Sequence, residues 1–124
     1  MAGLSFDTGV LVALERRESG AWAWMRRAAE RDVAPLVSTA ALAEAWRGGR
    51  QTWLATALRG CEVAPVTEVL ARAAGVACGA TGAQTLDAII AATAAARGAT
   101  LLSADVGDMH TLADHFRSLR VVAL

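Results

Sequence analysis

Lysine is absent from this sequence and cysteine is scarce: all 12 basic residues are arginine, and Cys61 and Cys78 are the only thiols. Two cysteines without CxxC spacing, and no histidine at zinc-ligand intervals, indicate neither a disulfide framework nor a zinc site, so both read as buried free thiols. Long hydrophobic runs are missing too. The longest weakly polar stretch, Leu86 to Ala96, contains Asp87 and falls far short of the roughly 20 residues that span a bilayer, so no membrane helix is expected. Met1 to Asp7 carries no basic leader and reaches an acid at once, which is not a signal-peptide pattern; a cytoplasmic location is the expectation. An excess of either charge is also lacking, with 12 acidic against 12 basic residues. Bulk electrostatics therefore do not announce a nucleic-acid binder, although arginine forks suit phosphate oxygens better than ammonium groups do.

What is present is small and apolar. The 124 residues make one domain, 1–124, and the 55% hydrophobic fraction is largely alanine, which favours helices without adding bulk. Leu4 to Phe6 reads as a strand ending at Asp7, followed by a helix with apolar residues at helical spacing through Leu14. A helix over Ala21 to Arg31 places Trp22, Met25 and Ala29 on one face and Trp24 on another. Ala34 to Val37 reads as a strand, then a helix capped by Ser38 or Thr39 and running to Trp46, then a helix from Gln51 to Arg59. Cys61 to Val66 reads as a strand. Thr67-Glu68 starts a helix ending in a loop at Gly79 to Gly82, and Thr85 to Arg97 follows as a helix. Ala99 to Leu102 is a strand, Asp105 to Phe116 a loop and helix, and Leu119 to Leu124 a last strand. Strands alternating with helices predict an α/β fold: a central, mainly parallel sheet of four to five strands covered on both faces.

In such a sheet, ligands gather beyond the carboxyl ends of the strands, where helix N-termini favour negative groups. Asp7 and Asp105 both fall at such junctions, and each suits either a helix cap or a ligand-binding carboxylate. Asp87 is more telling, because it is the only charged residue between Arg72 and Arg97. Its helix is apolar on nearly all sides, the pattern of a buried helix. A lone carboxylate there needs a counter-charge, donors, a metal or exposure at the helix start. Glu44 lies roughly opposite Leu42 and Trp46, the expected core face of its helix, which leaves a solvated role open. Asp108, three residues after Asp105, suits an auxiliary ligand or a helix-start acid. Carboxylates that converge repel one another unless a cation neutralises them, and an all-oxygen set selects Mg²⁺ or Mn²⁺. Phosphodiester hydrolysis is the natural chemistry of such a centre.

Four segments carry a family resemblance: Phe6-Asp7-Thr8-Gly9-Val10-Leu11, Ser38 to Glu44, Leu86-Asp87-Ala88, and Leu102-Ser103-Ala104-Asp105 with Val106-Gly107-Asp108. Their order and spacing resemble PIN domains, especially the VapC-type toxins of bacterial toxin-antitoxin pairs. The resemblance implies a three-layer α/β/α sandwich and Mg²⁺- or Mn²⁺-dependent endonucleolytic cleavage of RNA. It also implies homodimerisation and inhibition by a small antitoxin. By position it makes Asp7, Glu44, Asp87 and Asp105 the catalytic acids, with Asp7, Asp87, Asp105 and Asp108 toward the metal. Two departures stand out: Gln84 replaces an acid found in many relatives one turn before Asp87, and Ser103-Ala104 replaces a more hydroxyl-rich pair.

Arg47 and Arg50, just beyond the Glu44 helix, are the candidate RNA-phosphate contacts, with Arg16 and Arg17 one helix away from Asp7. His110 and His115 read as surface or capping residues. Trp22, Trp46 and Trp53 read as core or groove packing, and Trp24 as a partner surface. Asp7-Thr8-Gly9 also resembles the signature of homodimeric aspartic proteases, an all-β family that the alanine-rich helical segments contradict. Two further readings are a non-catalytic module of the same fold, acting through its RNA or antitoxin surface, and a structural domain whose acids are merely caps.

Overall fold

The run Leu4–Phe6 forms β1, and all three residues are buried, Ser5 included. That total burial is what a central parallel strand demands, since helices cover both of its faces. The computed structural model describes residues 3–124. Around β1 stand β2 (Leu36–Ser38), β3 (Glu62–Ala64), β4 (Thr100–Ser103) and β5 (Arg120–Ala123), in the order β3-β2-β1-β4-β5. All four pairings are parallel, with Phe6 opposite Val37 on one side and Leu102 on the other. The sheet is thus five-stranded and wholly parallel.

Among the described residues seven helices make the crossovers: α1 (Thr8–Glu15), α2 (Ser19–Glu30), α3 (Thr39–Ala45), α4 (Thr52–Leu58), α5 (Glu68–Thr81), α6 (Thr85–Ala96) and α7 (Val106–His115). α1 packs on α2, α3 and α4, while α5, α6 and α7 pack on one another. Right-handed crossovers that run outward from β1 first one way and then the other put these two sets on opposite faces, giving an α/β/α sandwich. α6 buries Ala88, Ile90, Ala91, Ala92, Thr93 and Ala94, as expected of a helix apolar all round. α5 runs to Thr81, past the expected loop, and stops at Gly82, whose φ of 74° supplies the left-handed residue that closes a helix. β3 is shorter than its alternating pattern, with only Ala64 buried, because it lies at the sheet edge.

Two helix faces differ from expectation for one physical reason. On α2 the fully buried residues are Ala21 and Ala28, with Trp24 and Met25 packed between them against the core and Ala29 exposed. Trp24 is therefore part of the core packing and not a free partner surface. On α3 the buried residues are Ala40, Ala41 and Ala45, whereas Trp46 is 39% exposed. Alanine lets a helix approach the sheet closely, so the buried seam follows the small side chains and the bulky ones flank it. The thiols are half-buried rather than fully so. Cys61 Sγ donates to the Ala57 carbonyl, and burial pushes its pKa up to about 11, which leaves it protonated and unreactive near neutrality.

The core's bulk comes from few residues, among them Phe6, Leu11, Leu14, Ile90, Leu101 and Leu102. Leu101→Ala, at the sheet centre, is expected to lower stability by about 2–5 kcal/mol. The readout is a fall in the urea midpoint at unchanged slope. A fall of less than about 1 kcal/mol would contradict this close packing.

Candidate active site

The strand order reverses between β1 and β4, so the loops after these strands lead to helices on opposite faces and open a crevice at the carboxyl edge of the sheet. Asp7 closes β1 and is only 5% exposed. Its Oδ1 accepts from Val10 N at 3.0 Å, which caps α1. Its Oδ2 accepts from Ser103 Oγ at 2.6 Å and from Ala104 N at 3.2 Å. The capping and the cavity-lining roles of Asp7 are thus compatible, since three donors from two distant chain segments satisfy a buried carboxylate. Ser103, fully buried, also accepts from Asp105 N at 3.0 Å, so one hydroxyl orients both ends of the crevice.

A cavity of about 190 Å³ opens here, lined by Asp7, Thr8, Gly9, Glu44, Asp87, Ala104, Asp105, Asp108 and Met109. All five acids singled out in the sequence meet in it. Gly9 is required at its position, because a Cβ there would stand 2.5 Å from Ala104 Cβ. Asp105 is the residue preceding α7, but its side chain makes no capping hydrogen bond. Glu44 is partly buried on the sheet side of α3, and Thr8 Oγ1 donates to its Oε1 at 2.6 Å. The solvated placement open to Glu44 is thereby corrected: the alanine seam turns α3 so that Glu44 faces inward with Ala40 and Ala41. A negative group in the last turn of a helix opposes the macrodipole, a cost of about 0.3–1 kcal/mol.

The electrostatics record the convergence. Asp87 is held above the usual carboxylate range, first by burial and then by the charges of Glu44, Asp108, Asp7 and Asp105. Asp108 is raised as well, by side-chain hydrogen bonding with Asp105 and then by that neighbour's charge. Among the described residues no three such groups already stand close enough to grip one ion. The donor set nevertheless fits a hard divalent cation, since its oxygens line one cavity and the charges of four other acids act on Asp87.

The other candidates lie outside the cavity. Arg47 is exposed, and its guanidinium donates to the carbonyls of Ala43 and Trp46, closing the end of α3. Arg50 is exposed in the segment before α4. Arg16 and Arg17 follow the far end of α1, roughly 12 Å of helix away from Asp7 at 1.5 Å per residue, and Arg17 stacks on Trp53. Neither histidine lines the cavity. Gln84 lines an adjoining cavity of about 240 Å³ with Gly82, Ala83, Asp87 and Asp108. Sequence reasoning undervalued Ser103 and gave Thr8 and Gly9 no role; the triplet Asp7-Thr8-Gly9 was the available signal.

Because burial and the neighbouring acids raise the Asp87 pKa, the folded protein keeps that proton to a higher pH than the unfolded chain does. The resulting stability is present at acid pH and lost as pH rises through the folded value. Asp87→Asn is therefore expected to melt slightly higher than the wild type at pH 7 without metal, by about 1 kcal/mol or less after solvent screening, with the gain vanishing below about pH 4. Thermal melts across pH test this, and a variant that melts lower at pH 7 would contradict the repulsion.

The sequence profile of the PIN domain matches residues 5–113. No curated protein matches the sequence. Among solved structures, VapBC2 of Rickettsia felis, bound to a DNA fragment from its promoter, is similar at a TM-score of 0.72 and 15% identity, over 98% of both chains. A toxin-antitoxin complex from Klebsiella pneumoniae is similar at 0.73 and 20% identity, over 95% of each. FitAB bound to IR36 DNA is similar at 0.67 and 19% identity, over 97% of this chain and 94% of that one. At such identities these likenesses establish the fold, and the match across 5–113 establishes the family: the chain belongs to the PIN domain family.

Proposed function

We propose that this chain is a Mg²⁺- or Mn²⁺-dependent endoribonuclease and the toxin of a toxin-antitoxin pair. The observation that carries the reading is Asp87, whose carboxyl is raised by burial and by all four other acids of one cavity. Asp7, Asp87, Asp105 and Asp108 would hold the cation, with Glu44 beside them. When bound, such an ion stabilises charge developing on phosphate oxygens and acidifies water. Asp7, fixed by Ser103, Ala104 and Val10, supplies a rigid oxygen pair. Asp87, which faces the four other acids of the cavity, is placed to share the cation with Asp7 and Asp105. Arg47 and Arg50 lie on the exposed stretch after α3 and are assigned to RNA phosphates outside the cavity.

The partner proposed is a small antitoxin. Thr39, Leu42, Ala43, Trp46 and Leu58 line an apolar groove of about 500 Å³ that suits apolar side chains of such a segment. The similar structures named above are themselves toxin-antitoxin complexes, which supports the pairing. A homodimer and a cytoplasmic location belong to the same reading. No helix among the described residues is long and apolar enough to cross a membrane. Gln84, uncharged beside Asp87 and Asp108, favours one alternative: a PIN-fold module that binds RNA or antitoxin without cutting.

Single-stranded RNA incubated with the full chain separates the two. Cleavage is expected with Mg²⁺ or Mn²⁺ and none with EDTA. Asp7→Asn and Asp87→Asn should each lose more than about 100-fold while remaining folded, since even an outer-shell partner is worth 10–100-fold. Mn²⁺ at about 100 times Kd should add about 2.7 kcal/mol of stability to the wild type and little to either variant. Intact RNA together with a melting temperature indifferent to Mn²⁺ would reject the nuclease.

A further inference from the structure

Thr8 opens α1, yet the helix makes no use of its hydroxyl, because Asp7 already caps the Val10 amide. Instead, Thr8 Oγ1 reaches across 36 residues of sequence to donate to Glu44 Oε1 at 2.6 Å. That length is typical of a hydroxyl bonded to an ionised carboxylate, which is a strong hydrogen bond. Both residues line the acidic cavity. Thr8 is a stiff donor, since its β-branch restricts χ1 and it stands on the first turn beside the immobilised Asp7. Glu44 is the opposite, a long side chain with several free torsions at the end of a seven-residue helix. The alanine seam of α3 turns the Glu44 backbone toward the cavity, but it does not fix where the end of so long a side chain comes to rest.

We infer that Thr8 is a positioning residue: its hydroxyl holds Glu44 by Oε1 at the cavity wall, leaving Oε2 outside that bond to serve a divalent cation or its water. The inference rests on the metal-dependent reading of the site. It assigns the first helical residue a purpose distinct from capping, and it explains how an acid on α3 is kept in register with acids on β1, α6 and α7. The tie joins α1 to α3 directly, so the position of Glu44 follows that of Asp7.

The test is a calorimetric titration of the full, metal-free chain with Mn²⁺, without RNA, on the wild type, Thr8→Val, Thr8→Ser, Glu44→Gln and the double variant Thr8→Val with Glu44→Gln. Thr8→Val keeps the shape and removes the hydroxyl, and it should weaken Mn²⁺ binding about tenfold, as loss of an outer-shell partner does. Thr8→Ser should bind as the wild type does. Added to Glu44→Gln, Thr8→Val should weaken binding no further, because its effect passes through Glu44. Equal Mn²⁺ affinity in Thr8→Val and wild type would overturn the inference while leaving the nuclease reading standing, as would a loss of equal size in the Glu44→Gln background. Absence of Mn²⁺ binding by the wild type would overturn both. Thr8→Ala serves as the second hydroxyl-free variant should Thr8→Val not fold.

Discussion

The hydrogen bonds that gather on Asp7 govern the rest of this molecule. A carboxylate that is 95% covered is tolerable only if donors replace its water, and here they come from Val10, Ser103 and Ala104. Those donors belong to α1 and to the turn after β4, so satisfying one buried charge also locks the two loops that form the crevice. The close approach this requires leaves no room for a side chain at residue 9, where a Cβ would press on Ala104 at 2.5 Å. Ser103 extends the lock by accepting from the Asp105 amide. The site's remaining acids, on α3 and α6 and at the start of α7, are arranged around this anchor.

Repulsion among these acids is the second half of the same design. Burial and four like charges act on Asp87, and Asp108 is raised by Asp105 one turn away. A scaffold of soft loops would relieve the strain by letting the acids drift apart. Parallel strands buried on both faces cannot, because shifting one would uncover residues such as Phe6, Leu101 and Leu102. The sheet therefore stores an electrostatic cost, of the kind a divalent cation would remove.

The features legible in the sequence were those set by pattern over many residues. Strand and helix order followed from apolar runs alternating with helical spacing. Asp87 stood out because its helix offers no other charge, and the structure buries that helix almost all round. What escaped was orientation about helix axes. In α3 the largest apolar residue, Trp46, attracts attention as a core marker, yet the seam runs along Ala41 and Ala45; in α2 Trp22 does pack against the core, but beside a seam of Ala21 and Ala28. In an alanine-rich chain closeness of approach outweighs side-chain volume, so hydrophobicity alone assigns the wrong face. Hydroxyl ties such as Thr8 to Glu44 were equally invisible, since they span 36 residues and leave no local spacing to read.

The rotation of α3 has a consequence for how the two surfaces relate. Turning Ala40, Ala41 and Ala45 inward brings Glu44 to the acidic cavity, and the same turn sends Leu42, Ala43 and Trp46 to the apolar groove. One helix of seven residues thus presents an acid of the cavity on one side and the wall of an apolar groove on the other. It is fastened to the site by the Thr8 bond and closed at its end by Arg47, whose guanidinium holds the carbonyls of Ala43 and Trp46. Both surfaces therefore depend on how α3 is seated against the sheet.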